Sequence, residues 1–139
     1  MEPNQNSVFY YILIVDDEKN DHFFIRRAID HLIPQAIVES LYDGSEALEY
    51  LDHCSAMPNL IILDLKMREI SGRDTISIIR KNEALSKVPV VIFTNSKEHS
   101  EKEELLSMGA DAFYTKPTEM NDLNLIIEEV RDRWLYQFH

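Results

Sequence analysis

The feature that most constrains this chain is a series of short apolar runs without a polar break, separated by stretches of helical period. Tyr10-Tyr-Ile-Leu-Ile-Val15, Leu60-Ile-Ile-Leu63 and Val90-Val-Ile-Phe-Thr94 are runs of this kind. An alternating pattern would mark a strand with one wet face. Unbroken apolarity marks a strand covered on both faces, as in parallel sheets. Two weaker strands fit at Ala36–Tyr42 and Ala112–Thr115. Between the runs, Ile25, Ala28, Ile29 and Leu32 follow i, i+3, i+4, i+7, one face of a helix that Pro34 ends. Asp43 with Glu46 forms a capping box that opens a second helix through Leu51. Ile76 and Ile79 share a face of a third. Ser100 with Glu103 opens a fourth, which Gly109 stops. Leu123, Ile126, Ile127, Val130 and Trp134 stripe a fifth, capped by Thr118.

Five strands alternating with five helices form a βα repeat. That pattern predicts a parallel sheet with right-handed crossovers and helices on both faces. The 139 residues suit a single domain with a real core. Residues 1–9 read as a polar lead-in and residues 10–139 as the domain. The chain ends with the fifth helix, so no attached output domain is expected. Lys and Arg total 14 against 25 Asp and Glu, a formal charge of -11. Such a chain repels phosphate backbones and anionic lipid, which argues against direct nucleic-acid or membrane binding. The lone Cys54 excludes an internal disulfide and a Cys-based zinc site. The five histidines lack metal-like spacing and read as surface residues. With no secretion signal and no apolar run of about 18 residues, the expected location is the cytoplasm.

Open sheets of this kind bind ligands at the carboxyl ends of their strands. Those positions hold Asp16, Asp17 and Glu18 after strand one, Asp64 after strand three, Thr94 at the end of strand four, and Lys116-Pro117 after strand five. Crowded carboxylates repel one another, and a hard divalent cation relieves the repulsion. Two or three carboxylates, a carbonyl and waters suit octahedral Mg2+. The lysine can pair with a carboxylate or a phosphoryl oxygen, and the threonine hydroxyl can donate to another such oxygen. The set matches a carboxylate that accepts a phosphoryl group, with Asp64 attacking in line.

These same residues carry a resemblance. Ile14-Val-Asp-Asp-Glu18, Leu63-Asp-Leu-Lys-Met67, Phe93-Thr-Asn-Ser96 and Thr115-Lys-Pro117 are similar to the signature segments of response-regulator receiver domains of the chemotaxis-regulator type. The resemblance runs from Tyr10 to the end of the fifth helix. It implies a doubly wound α/β, flavodoxin-like (βα)5 fold with strand order 2-1-3-4-5. It implies phosphorylation of Asp64 by a sensor histidine kinase or phosphotransfer protein. It makes Asp17 a direct Mg2+ ligand, Asp16 one acting through water, and Asp64 and the Lys66 main-chain carbonyl further ligands. Thr94 and Lys116 would contact the phosphoryl group. The Lys116–Pro117 bond would be cis. Thr94 and Phe113 would act as switch residues that repack the face of helix four, strand five and helix five toward a downstream protein.

The chain departs from the family pattern at a few positions. Arg68 stands where the family carries Pro, while Gly72 keeps the loop length. Lys66 replaces a neutral polar residue, where it reads as an ordinary surface lysine or as one that can pair with Glu18 or restrict the attacking water. Asn95 follows the switch threonine where a small residue is frequent. The acidic run Glu98–Glu104 reads as a solvated helix face or a docking surface. The aromatic tail from Arg133 to Phe138 reads as packing on the fifth helix or as a homodimer contact. Three other readings fit less well. A flavin carrier needs a phosphate loop where Asp16, Asp17 and Glu18 stand. An aspartyl phosphohydrolase needs a second acid where Lys66 stands. A binding adaptor that never turns over phosphate would have no use for all five key side chains.

Overall fold

The computed structural model describes residues 8–96 and 98–136. Most of the expected lead-in, Lys97, and the tail residues Gln137, Phe138 and His139 lie outside the described residues. The elements alternate as expected: β1 (Tyr10–Val15), α1 (Lys19–Leu32), β2 (Ala36–Leu41), α2 (Gly44–His53), β3 (Leu60–Leu63), α3 (Gly72–Lys81), β4 (Val90–Thr94), α4 (His99–Ser107), β5 (Ala112–Thr115) and α5 (Met120–Val130). The sheet is wholly parallel, in the order β2-β1-β3-β4-β5. None of the described helices is long and apolar enough to cross a membrane.

The period of two along each strand explains the layers. Leu13, Val15, Ile61, Leu63, Val90 and Ile92 point to one face, under Ala47 and Leu51 of α2, Ile76 and Ile79 of α3 and Leu105 of α4. Ile12, Ile14, Leu60, Ile62, Val91 and Phe93 point to the other, under Ile25, Ala28 and Ile29 of α1 and Leu123, Ile127 and Val130 of α5. Both faces are apolar because both are covered. The outer strands β2 and β5 are the less buried ones, which is why their sequence signal is weak.

The caps follow local chemistry with some differences. Asp43 accepts the Glu46 N–H at 2.9 Å, as the capping box requires, and the Glu46 carboxylate reaches back to the N–H of Tyr42. Ser71 caps α3 by accepting from Asp74 N–H, a start the sequence reading had not located. The Ser100–Glu103 box does not form. α4 begins at His99, and Glu103 lies against His99 instead at 3.3 Å. Thr118 does not cap α5 either: its N-cap is Glu119, with no side-chain bond. Gly109 does end α4, with φ +109°, a conformation that favours glycine.

Past Val130 the helix makes one π turn over Arg131–Leu135. The extra residue in that turn advances the buried stripe, so Leu135 enters the core and Trp134 sits half-buried beneath Arg133. Cys54 caps the end of α2, half-buried and free.

Candidate functional site

Four backbone segments meet at the carboxyl edge of the sheet because the ladder continues one residue past the strands. Asp16 N–H donates to Leu41 O, Asp64 N–H to Val15 O, and Lys116 N–H to Thr94 O. Residues far apart in the chain are thereby pinned side by side. Gly72 supports this edge from the start of α3, where the β3–α3 loop closes. A Cβ at Gly72 would run into the Asp64 carbonyl, so this loop folds tightly only around glycine. In the same loop Glu69 takes φ +62°, a left-handed conformation uncommon outside glycine.

Each side chain at this edge has a defined setting. Asp64 is buried, and its Oδ1 accepts the Leu65 N–H at 2.8 Å while Oδ2 faces Lys116 Nζ at 3.4 Å. Asp16 is also buried, with Oδ1 accepting from Glu18 N–H at 2.9 Å and Oδ2 2.8 Å from Lys116 Nζ. Half-buried Asp17 completes a group in which one carboxylate oxygen from each of Asp16, Asp17 and Asp64 lies within 4.8 Å of the others. That spacing, with oxygen donors only, fits a hard divalent cation. Thr94 is fully buried. Its hydroxyl makes no hydrogen bond of good geometry, yet it lies near enough to Asp64 to favour the ionised carboxyl. A buried hydroxyl without a partner is costly unless a ligand supplies one.

The electrostatics follow from burial opposed by ion pairing. Burial pushes the Asp16 carboxyl up to about 6, against the pull of Lys116 and the Glu18 N–H. Burial also raises Asp64, again opposed by Lys116 and the Leu65 N–H. For Lys116, burial alone would favour the neutral amine. Its bonds to Asp16 and Asp21 and the field of Asp64 outweigh that cost and raise its pKa. Burial thus works against the charge on Asp16 and Asp64, while the surrounding carboxylates favour the charge on Lys116.

The structure corrects several expectations here. No peptide bond among the described residues is cis, so the Lys116–Pro117 bond is trans. Trans is the lower-energy isomer of an X-Pro bond by about 0.5–1 kcal/mol. Lys116 reaches the acids from the end of β5 with this isomer in place. His22 is not a surface residue. It is buried, its Nε2 lies 2.7 Å from the Asp16 carbonyl oxygen, and its ring packs on Tyr42. His31, His53 and His99 are exposed as expected, and His139 lies outside the described residues. Lys66 is exposed, as the surface-lysine reading expects, and forms no ion pair with Glu18. The acidic run on α4 is only partly solvated, because Arg73 of α3 binds Glu104 at 2.8 Å and Glu101 at 3.2 Å. Phe113 is half-buried against the core beside Leu106 and Tyr114.

Asp21 was missed by the sequence reading. Its Oδ2 is 2.7 Å from Lys116 Nζ, the shortest contact that ammonium makes among its three carboxylates. A signal existed: side chains on a helix lean toward its N-terminus. An acid in the first turn of α1 therefore leans back over the end of β1.

Comparison with known proteins agrees with this geometry. Residues 12–128 match the family described as response regulator receiver domain. The chain is 30% identical over 130 residues to FilR2 of Methanothrix harundinacea, named a probable methanogenesis regulatory protein, covering 91% of this chain and 84% of that one. Its fold superposes on the phosphorylated cyanobacterial phytochrome response regulator RcpA with a TM-score of 0.87 and 25% identity, covering 95% of this chain and 98% of that one. It superposes on the Mn2+-bound form of Rcp1, a response regulator of Synechocystis, with a TM-score of 0.83 and 26% identity, covering 94% and 97%. Sheet order, acid cluster and sequence match agree, and the chain belongs to the response-regulator receiver domains of two-component signalling.

Proposed function

We propose that this receiver is switched by phosphorylation of Asp64, with Mg2+ as the cation. The observation that carries the reading is the convergence of Asp16, Asp17 and Asp64 within 4.8 Å, with Lys116 against the Asp64 oxygen that no backbone group holds. The phosphorylated form of RcpA and the Mn2+-bound form of Rcp1 support it by similarity. Asp17 would hold the cation directly, Asp16 largely through water, and Asp64 and the Lys66 carbonyl would complete the protein ligands. When bound, Mg2+ offsets the charge of the acids and of the transferring group.

The protein's own groups do the rest. An Asp64 oxygen attacks phosphorus in line. The new O–P bond forms as the P–N bond to a donor phosphohistidine breaks, and the imidazole nitrogen keeps the electron pair and takes a proton. Lys116 and the Thr94 hydroxyl donate to phosphoryl oxygens, which gives the orphaned Thr94 donor a partner. Water attack on the same phosphorus releases inorganic phosphate and resets the switch.

The donor is a sensor histidine kinase or phosphotransfer protein in the cytoplasm. The response is a rearrangement of Thr94 and Phe113 that repacks the α4–β5–α5 face toward a downstream protein, with a homodimer as one form of that output. The test is intact mass after incubation with acetyl phosphate. One phosphoryl group is added in Mg2+ and none in EDTA. No added mass in either condition contradicts the reading.

A further inference from the structure

Lys116 offers three N–H donors, and the structure surrounds it with three carboxylates at unequal distances. Asp21 Oδ2 is at 2.7 Å, Asp16 Oδ2 at 2.8 Å and Asp64 Oδ2 at 3.4 Å. The lysine is thus held most loosely by the residue it would serve in phosphoryl transfer. Asp16 belongs to the acid group that fits a cation, and a cation there would draw its charge away from Lys116. Asp21 stands apart from that group, so a cation there would leave its pairing with Lys116 in place. It is the acid in the first turn of α1, where the helix dipole favours a negative charge. Its side chain is 30% exposed, so water reaches it. It also lines, with Lys116, Pro117 and Glu119, a small cavity beside the phosphorylation site.

We propose that Asp21 is a positioning residue that holds Lys116 back from Asp64, so that the Asp21 carboxylate sets how fully the ammonium engages a phosphoryl group. This rests on the phosphorylation reading above and adds a residue to it. Phosphorylation then includes a partner exchange. Lys116 turns from Asp21 to a phosphoryl oxygen, and the lost Asp21 bond is subtracted from the stability of the phosphorylated state. Asp21 therefore tunes the switch toward easy reversal.

The test is the affinity for beryllofluoride in Mg2+, by titration calorimetry, for the parent, Asp21→Asn, Asp21→Glu and Glu119→Gln. Asp21→Asn should bind about three- to fivefold more tightly, the range expected for release of a partly exposed ion pair. Asp21→Glu should return toward the parent. Glu119→Gln removes a charge at the same cavity without touching the lysine contacts, and should change affinity less than about twofold. Unchanged or weaker binding by Asp21→Asn overturns the inference. Equal tightening by Glu119→Gln also overturns it, because the effect would then be general charge removal. A parent that binds no beryllofluoride overturns the inference together with the phosphorylation reading. A parent that binds, with Asp21→Asn unaltered, overturns the inference alone.

Discussion

Lys116 Nζ and Asp64 Oδ2 lie 3.4 Å apart although 52 positions separate the two residues in the chain. The backbone makes that meeting possible, because Asp64 and Lys116 each extend a ladder bond beyond their strands. Asp64 nevertheless sits in a setting that disfavours its charge, since burial raises its pKa. Replacing it by an isosteric neutral group removes that cost, while Lys116 keeps Asp16 and Asp21 as partners. Without divalent cation at neutral pH, Asp64→Asn should therefore be more stable than the parent by about 1 kcal/mol in urea unfolding. A marked loss of stability would show that Asp64 is needed to hold Lys116.

Acidity should act on the cation-free protein through Asp16. Its pKa rises from the ordinary 3.8 to about 6 on folding, so the folded state takes up the proton more readily. The stability this contributes is fully present below 3.8 and is lost as pH rises through about 6. His22 acts in the opposite sense. Burial lowers its pKa, so its contribution is present above 6.5 and lost as pH falls through the depressed value. The Asp16 share is isolated by subtracting melts of Asp16→Asn from those of the parent. The difference should favour the parent more at about pH 5 than at about pH 8. Mg2+ should stabilise the parent increasingly as pH rises through about 6, since the cation must displace the proton from Asp16.

Gly72→Ala tests how the loop holds the site. The added Cβ would meet the Asp64 carbonyl and the Leu65 Cα, both backbone atoms that cannot step aside cheaply. The substitution should cost about 2 kcal/mol of stability, and Mg2+ affinity should fall with it. Chemical unfolding and calorimetry with Mg2+ give the two numbers. A variant with parental values for both would mean that the loop tolerates a side chain there.

Arg80 is the staple at the opposite end of the sheet. Its guanidinium donates to the carbonyls of Gly109, Leu85 and Val88 and to Asp111, whose Oδ2 also accepts the Val90 N–H. Arg80→Ala strands several carbonyls and frees the loop ahead of β5. It should destabilise by about 2–4 kcal/mol in denaturant titration. Arg80→Lys should recover only part of this, because an ammonium cannot reproduce the planar fork.

The strands were legible because a doubly covered strand must be apolar throughout, and Leu60–Leu63 and Val90–Thr94 fall where their residues predict. The strand-end acids were legible for a related reason, since a charge closing an apolar run needs a partner or a ligand. His22, Arg73 and Arg80 were not legible as site or staple residues, and Asp21 only through its place in the first turn of α1. Each acts through a contact made by tertiary packing, and each looks like an ordinary helix residue on a helical wheel. The π turn at Arg131–Leu135 shifted the last buried position by one residue, from Trp134 to Leu135, which no 3.6-residue pattern anticipates. The Ser100 cap failed because several polar residues in a row offer alternative starts. The backbone chose His99, where α4 also docks on Arg73 through Glu101 and Glu104.

The most direct measurement is to locate the acylphosphate itself. Protein treated with acetyl phosphate and Mg2+ is reduced with borohydride, which converts a phosphorylated aspartate to homoserine, and its peptides are sequenced by mass spectrometry. The account predicts homoserine at position 64 and no conversion in Asp64→Asn. Homoserine at Asp16, Asp17 or Asp21, or labelling of Asp64→Asn at the parental level, would contradict it.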